Sequence, residues 1–521
     1  MPAPSPHATV WARRGMVCSV DHLASSAGAA MLRAGGSAVD AAVAASALLA
    51  VTTPHMCGMG GDLFALVAEP GGAEPWCLNA SGRAGSGADP DRLRAEGRTA
   101  MPFKGDIRSA TIPGCVDGWV ELHTRFGRLA LEDVLAPALD AARHGFPASP
   151  LLAAAAAGLA EPGELGRPRP GGLVRRPGVA RCLQVVAAQG RDGFYRGEFG
   201  EGLIELGGGE YCEADLARSQ AEWVAPLGLE VWGRRVWTPP PNSQGYLSLA
   251  GAWLAERLDL PDTEDDPAWP HLLIEAARHA AFDRPAALHE HADGAALLAP
   301  ERLGRRLAAI SPERAAVLGD TYRGGGTIFL CAVDEERRGV ALIQSNASGF
   351  GTDVAVPSVG VFLQNRGMGF SLTPGHPAEY GPGRRPPHTL APAVVTEADG
   401  ALHSVLGTMG ADSQPQIVLQ LLARLLGRGG SPGDAVWGPR WVLAAPDSNL
   451  FDTWDEPDRA QVVVEPHAPA AWAPGLAARG HAVVSPARWN WGHAHCITVG
   501  ADGVLAGASD PRALTGGVAA W

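Results

Sequence analysis

Gly324-Gly325-Gly326-Thr327-Ile328-Phe329-Leu330-Cys331-Ala332-Val333 is the stretch on which the reading of this 521-residue chain turns. Three glycines leave the backbone free to take strained conformations, and they run into a threonine that opens a strand-like run, Thr327 to Val333. The residue types at this junction suit self-cleavage. Attack of the Thr327 hydroxyl on the Gly326 carbonyl turns the amide into an ester that water opens, leaving a threonine with a free α-amine beside its own hydroxyl. An α-amine with a pKa of about 8 takes a hydroxyl proton near neutral pH. Alone, such a tetrapeptide is more often a plain loop entering a strand, so the flanking chain has to supply the context.

Downstream, Gly339 to Ser345 forms a second strand, joined to the first by the charged turn Asp334 to Arg338, with Gly349-Phe350-Gly351 and Gly360 to Leu363 read as its continuation. Gln414 to Leu426 carries a branched apolar stripe and predicts a helix; Cys496 to Val499 and Val504 to Ala506 flank Ala501-Asp502-Gly503 as a late hairpin. Upstream, His22 to Leu32 predicts a helix stopped at Gly35-Gly36, and Ser37 caps a second, Ala38 to Ala50, whose small apolar residues suit an interior position. A glycine-rich turn through Gly58, Gly60 and Gly61 then leads into a strand, Leu63 to Val67; it follows a helix and precedes a strand, the reverse of a phosphate-binding loop. Pro75 to Leu78 is strand-like, Val116 to Phe126 and Leu131 to Arg143 are helices, and Trp237 to Tyr246 reads as a rigid loop before a helix, Leu247 to Arg257. Residues 150 to 235 show little chemistry. His289-Glu290-His291 with Asp293 has metal-ligating residue types but no second cluster nearby, and reads as a solvated helix end. Strands gathered behind helices point to layered α/β packing.

Composition narrows the function classes. The chain is 46% hydrophobic with a net charge of -13, which argues against a general nucleic-acid or anionic-membrane binder. Eight cysteines lie far apart without a C-x-x-C pair, so neither a disulfide framework nor a zinc site is expected from them. Met1 to Arg14 lacks the apolar core of a secretion signal, and the longest apolar run, Ala41 to Val51, is short of a membrane span, which needs about 20 residues. A cytoplasmic location is the expectation.

Six ordered blocks carry a resemblance: Gly36-Ser37-Ala38-Val39-Asp40-Ala41-Ala42, His55-Met56-Cys57-Gly58-Met59-Gly60-Gly61-Asp62, Thr111-Ile112-Pro113-Gly114, Arg385-Pro386, Gly410, and Gly507-Ala508-Ser509-Asp510-Pro511-Arg512. Together they resemble the gamma-glutamyltransferase family, within the N-terminal nucleophile hydrolases, and look most like its shorter intracellular subgroup, which resembles oxamate amidohydrolase. The resemblance implies a four-layer αββα sandwich made as one precursor and cut between Gly326 and Thr327. Residues 1–326 would be the large, helix-rich subunit that contributes Arg83, and 327–521 the small subunit, the two interlocked in one structural domain. A dimer of heterodimers is left open.

By the same resemblance Thr327 is the nucleophile, Ser345 the hydroxyl that supports it, and the N–H groups near Gly410 and Ala411 the oxyanion hole, where one donor is worth about 3 to 4 kcal/mol. Arg83 would hold the substrate carboxylate, with Arg366, His388 and Thr389 also lining the substrate. The sequence departs from the family pattern at Ala411, at Ala347, and at His388 and Thr389 in place of paired serines. It also has Gly369 where glutathione-accepting members place an acid, and Arg366 where they place an amide. Losing that acid and adding a cation predicts poor glutathione activity. The leading expectation is an autoprocessed amidohydrolase acting through an acyl-enzyme on a small carboxylate-bearing amide, with no metal or organic cofactor. Whether water or an amine accepts the acyl group is open. The alternatives are a carbon–carbon bond hydrolase on the same scaffold and an uncleaved ligand-binding pseudoenzyme.

Overall fold

A computed structural model describes residues 9–316, 326–444, 460–486 and 492–521. Gly324 and Gly325 of the junction, and residues 1–8 of the N-terminal stretch, lie outside these.

The strand-like run after the junction is buried along its whole length because it has a different neighbour on each face. Ile328, Leu330 and Ala332 pack with helices, whereas Phe329, Cys331 and Val333 point into a core shared with a second sheet. Its hairpin partner Gly339–Ala347 divides in the same way: Val340 and Leu342 face helices, Ala341 and Ile343 the other sheet. This two-residue alternation lets one strand serve two layers.

The first sheet has seven strands, in the order Gly517–Ala520, Met16–Ser19, Gly326–Val333, Gly339–Ala347, Asp62–Ala68, Trp76–Ala80, Glu222–Val224. The second also has seven: Val10–Ala12, Leu505–Ser509, Ala494–Val499, Leu402–Thr408, Ala393–Thr396, Arg234–Thr238, Leu227–Val231. All of these neighbours pair antiparallel. Trp237, Val394, Val405, Ile497 and Leu505 of the second sheet meet Phe64, Leu66 and Phe329 of the first in the inter-sheet core.

Helices cover both outer faces, completing the αββα sandwich. Over the first sheet lie His22–Arg33, Ala38–Thr52, Cys115–Phe126, Leu131–His144 and Pro177–Gln189; over the second lie Tyr246–Glu256, Ala268–Ala281 and Gln414–Leu422. Ala38–Thr52 is buried on all sides, as its small residues predict, and Ser37 and Asp40 close its first turn as a reciprocal capping box. Both sheets mix strands from before and after residue 326, so neither segment has a core of its own.

Several boundaries differ from the sequence reading. Trp237 and Thr238 end a strand rather than open a loop, because Trp237 fills the inter-sheet core. Val361–Phe362 does not continue the large sheet; it pairs with Ala355–Val356 as a separate ribbon packed on the glycine turn. The predicted Gln414 to Leu426 helix ends at Leu422 and widens over Ala423–Gly427, just before Gly429 and Gly430. Among the described residues no helix is long and apolar enough to cross a membrane.

Candidate active site

Thr327 occupies a slip in the strand register: Gly326 faces Ala347, but Ile328 already faces Gln344. A bulge of this kind turns a side chain away from the regular pleat. Here the Thr327 side chain is turned toward Ser345, and its Oγ1 donates to the Ser345 Oγ at 3.1 Å in a site only 1% exposed. That oxygen also accepts the Ala347 N–H at 2.8 Å, which holds Ala347 at a φ of 70°. Two hydroxyls and a strained strand end are thus fixed beside the Gly326–Thr327 bond.

The glycine turn explains why three of the sequence motifs share one place. A Cβ on Gly61 would stand 2.2 Å from the Ser345 carbonyl oxygen, and one on Gly60 would stand 2.1 Å from that of Phe362. Backbone therefore packs directly on backbone. The Gly61 carbonyl accepts the Gly114 and Cys115 N–H groups at 3.0 and 3.1 Å, and the Gly60 carbonyl accepts that of Gln364 at 3.0 Å. The Thr111 to Gly114 segment, the 364–366 segment and the Gly339–Ala347 strand all lock onto this turn.

Asp62, which follows the turn, pairs with Ser345 across the sheet and is fully buried. Its Oδ2 accepts from Arg366 Nε at 2.9 Å and from His388 Nε2 at 2.8 Å, while Arg366 also donates to Thr389 Oγ1 at 3.0 Å. Burial alone would raise the Asp62 carboxyl, but Arg366 and His388 outweigh it and hold the pKa below the usual value. Burial and then the Arg366 charge push His388 down to about 4, so its imidazole is neutral at pH 7. This corrects two expectations. Arg366 brings no unmatched cation to the substrate, because Asp62 neutralises it. His388 and Arg366 are 0% and 2% exposed, and together with Thr389 they form a buried network around Asp62, the cross-strand partner of Ser345, rather than an open lining.

The 410–411 turn runs through positive φ. Gly410 has a φ of 133° and Ala411 of 55°, and neither N–H has an acceptor among the described residues. Gln244 sets the turn from behind, donating to the Ala411 carbonyl at 2.9 Å and to that of Thr389 at 3.0 Å. Arg284 in turn donates to the Gln244 oxygen at 2.9 Å. Alanine in place of glycine keeps the N–H and bears a left-handed backbone.

Arg83 lies at the end of the segment following Trp76–Ala80. Its guanidinium meets Glu222 at 3.1 Å, the Gly383 carbonyl at 3.2 Å and, more loosely, Glu290 at 3.7 Å. Beside it Arg385 is 4% exposed and donates to Ser81 Oγ at 3.0 Å and to the Gln220 carbonyl at 2.9 Å. Burial first, and then the charge of Arg83, lower Arg385 to about 9. Glu222 bridges the two arginines, lying 3.5 Å from Arg385 as well, so the cluster partly balances its own charge.

The sequence reading missed Arg385 as a site residue, although its motif was noticed, and missed Asp62, Glu222 and Gln244. Nor is Glu290 a solvated helix end: it accepts from Arg384 Nε at 3.0 Å and from the Arg385 N–H at 3.1 Å. The 150–235 stretch is not silent either, since Glu222 and Gln220 belong to this arginine cluster.

An αββα sandwich with a threonine at the head of a central strand defines the class: the protein is an enzyme of the N-terminal nucleophile hydrolase type. Within that class the chain belongs to the gamma-glutamyltranspeptidase family, whose model, Gamma-glutamyltranspeptidase, matches residues 24–520. It is 35% identical to the oxamate amidohydrolase proenzyme of Klebsiella pneumoniae, over 97% of this chain and 98% of that protein. It is 33% identical to the glutathione hydrolase-like YwrD proenzyme of Bacillus subtilis, over 95% and 97%. Among solved structures, cephalosporin acylase from Bacillus halodurans superposes with a TM-score of 0.90 at 33% identity, covering 100% of this chain and 98% of that one.

Proposed function

We propose that the chain is a proenzyme that cuts itself between Gly326 and Thr327 and then hydrolyses a small amide bearing a carboxylate, of the oxamate kind. The observation that carries this reading is the Thr327 Oγ1 to Ser345 Oγ hydrogen bond of 3.1 Å at the strand slip. In processing, Oγ1 attacks the Gly326 carbonyl, the C–N bond breaks as its nitrogen takes up the hydroxyl proton and becomes the free Thr327 amine, and water then opens the resulting ester to the Gly326 carboxylate and the Thr327 hydroxyl. In turnover, that amine takes the Oγ1 proton as the oxygen bonds to the substrate's acyl carbon, and returns it to the departing nitrogen. The Gly410 and Ala411 N–H groups face the developing oxyanion. Water then cleaves the acyl-enzyme to an acid and regenerates the hydroxyl.

Arg83 and Arg385 recognise the substrate carboxylate, which favours a short anionic amide. Gly369 offers no carboxylate for the α-ammonium of a γ-glutamyl donor, so glutathione is a poor substrate; repulsion from Arg366 plays no part.

Intact mass spectrometry of the purified protein beside a Thr327→Ala version tests the proposal. Two fragments from the former, one spanning 327–521, and a single chain from the latter are expected, with oxamate hydrolysed only by the former. An uncut parent chain, or a cut Thr327→Ala chain, refutes the self-processing nucleophile.

A further inference from the structure

The Ala268–Ala281 helix carries His271, Glu275 and His279 at successive four-residue spacings, hence along one face. That face is buried: His271 and Glu275 are 0% and His279 2% exposed. Against it lies His481, 8% exposed, three residues beyond the Trp472–Ala478 helix. The two helices are held together by Trp269 stacking on Trp472 at 5.9 Å between ring centres.

Hydrogen bonding sets the ring state of His271. Its Nε2 is 2.8 Å from the Ser311 carbonyl, which can only accept, so Nε2 carries the proton and Nδ1 presents a lone pair. That Nδ1 lies 2.8 Å from His481 Nε2. Glu275 reaches the same point, with Oε1 4.0 Å from His481 Nε2. One donor atom from each of His271, Glu275 and His481 falls within 4.8 Å of the other two.

We propose that His271 Nδ1, His481 Nε2 and the Glu275 carboxylate form a binding site for a divalent transition-metal ion of the zinc class. Two imidazoles and one carboxylate are a donor set suited to zinc, which leaves a fourth position for water. The Ser311 carbonyl plays the part of the backbone acceptor that usually orients a metal-bound histidine. Zinc–nitrogen bonds of about 2.0–2.1 Å in a tetrahedron put two ligand nitrogens about 3.4 Å apart, so the imidazoles open by about half an ångström to admit the ion. Glu275 already accepts from Arg278 at 2.7 Å and from the Ala316 N–H at 2.9 Å, yet a carboxylate has about four lone-pair positions and keeps capacity for the metal. Without an ion the 2.8 Å contact makes His481 Nε2–H the donor to His271 Nδ1, so ion binding moves that proton to His481 Nδ1 and replaces the hydrogen bond. Arg278 and Arg479 face both rings. Those two arginines are the nearby cations that an ion must tolerate.

The position gives the ion a structural task. His271, Glu275, Ser311 and Ala316 precede the Gly326–Thr327 bond and His481 follows it, so the metal ties the end of the first segment to the second. Ala315 N–H to Arg479 carbonyl, 2.8 Å, runs alongside.

The test is a zinc chloride titration of chelator-stripped protein, read by zinc content after desalting and by thermal denaturation. The parent protein is expected to retain one zinc per chain and to melt higher with zinc than with chelator. His481→Gln is expected to bind zinc at least about 100-fold more weakly and to melt at the same temperature in both. His279→Gln, on the same helix face but outside the three-residue set, is expected to retain zinc and serves as the control for general damage. Absence of retained zinc in the parent, or equal retention in His481→Gln, overturns the site and leaves the cluster as hydrogen-bonded packing.

Discussion

Asp62→Asn isolates the charge that the buried network beside Ser345 depends on. Asparagine fills the same volume, but it leaves the Arg366 guanidinium, 2% exposed, without its countercharge. Removing one partner of a buried pair costs about 3–5 kcal/mol. Unfolding entropy of about 2.1 cal/mol/K per residue amounts, over this chain, to about 1.1 kcal/mol/K, so the melting temperature should fall by about 3–5 °C. Scanning calorimetry in a Thr327→Ala background keeps the chain in one piece and separates stability from processing. The pH dependence follows from the lowered Asp62 pKa. A carboxyl held below its unfolded value, about 3.9, contributes stability that is present above that value and is lost as pH falls through the folded one. The gap between parent and variant should therefore be full at pH 7 and close below about pH 4. Adding Arg366→Met removes the stranded charge and should restore most of the loss. A variant within 1 °C of its parent, or a double variant that falls by the sum of the two single losses, would refute this account of Asp62.

Gly61→Ala pushes a methyl into the Ser345 carbonyl, so it should slow or abolish self-cleavage, seen as persistent uncut chain on a denaturing gel. Ala411→Gly relieves a left-handed alanine that costs about 1–2 kcal/mol but frees the unfolded chain; stability should change by less than about 1 kcal/mol and activity should persist, checked by melting and oxamate turnover. Arg83→Lys keeps the charge but loses the planar fork; the KM for a carboxylate-bearing amide should rise at least about tenfold while processing continues. Arg512→Met breaks a buried network in which Arg512 Nε donates to Glu465 at 2.6 Å and Arg440 meets Asp510 at 2.7 Å, and should cost about 3–5 kcal/mol in the same calorimetric assay.

How far the sequence could be read depended on how local each signal was. The Ser37 cap and the strand-like run Thr327 to Val333 are each carried within a few residues, and both are features of this fold. The layer assignment of an all-apolar strand was not legible, since nothing in Phe329 or Leu330 says which faces helix and which faces sheet. Partner choice was least legible. Arg366 looked like an added cation because Asp62 lies 304 residues earlier, and Arg385 finds Ser81 across the same span. The His271-Glu275-His279 spacing is plain in the sequence, but His481, 210 residues on, gives it meaning only in three dimensions.

Each of the two sheets interleaves strands from before and after residue 326, and this changes the order of the folding reaction. The precursor folds as a single chain, at a rate independent of its concentration. On the proposed cut at Gly326–Thr327, two chains that each lack three or four strands of both large sheets must find one another, so refolding becomes bimolecular and dilution lowers the yield. The fold is then assembled once under first-order kinetics and afterwards depends on never coming apart.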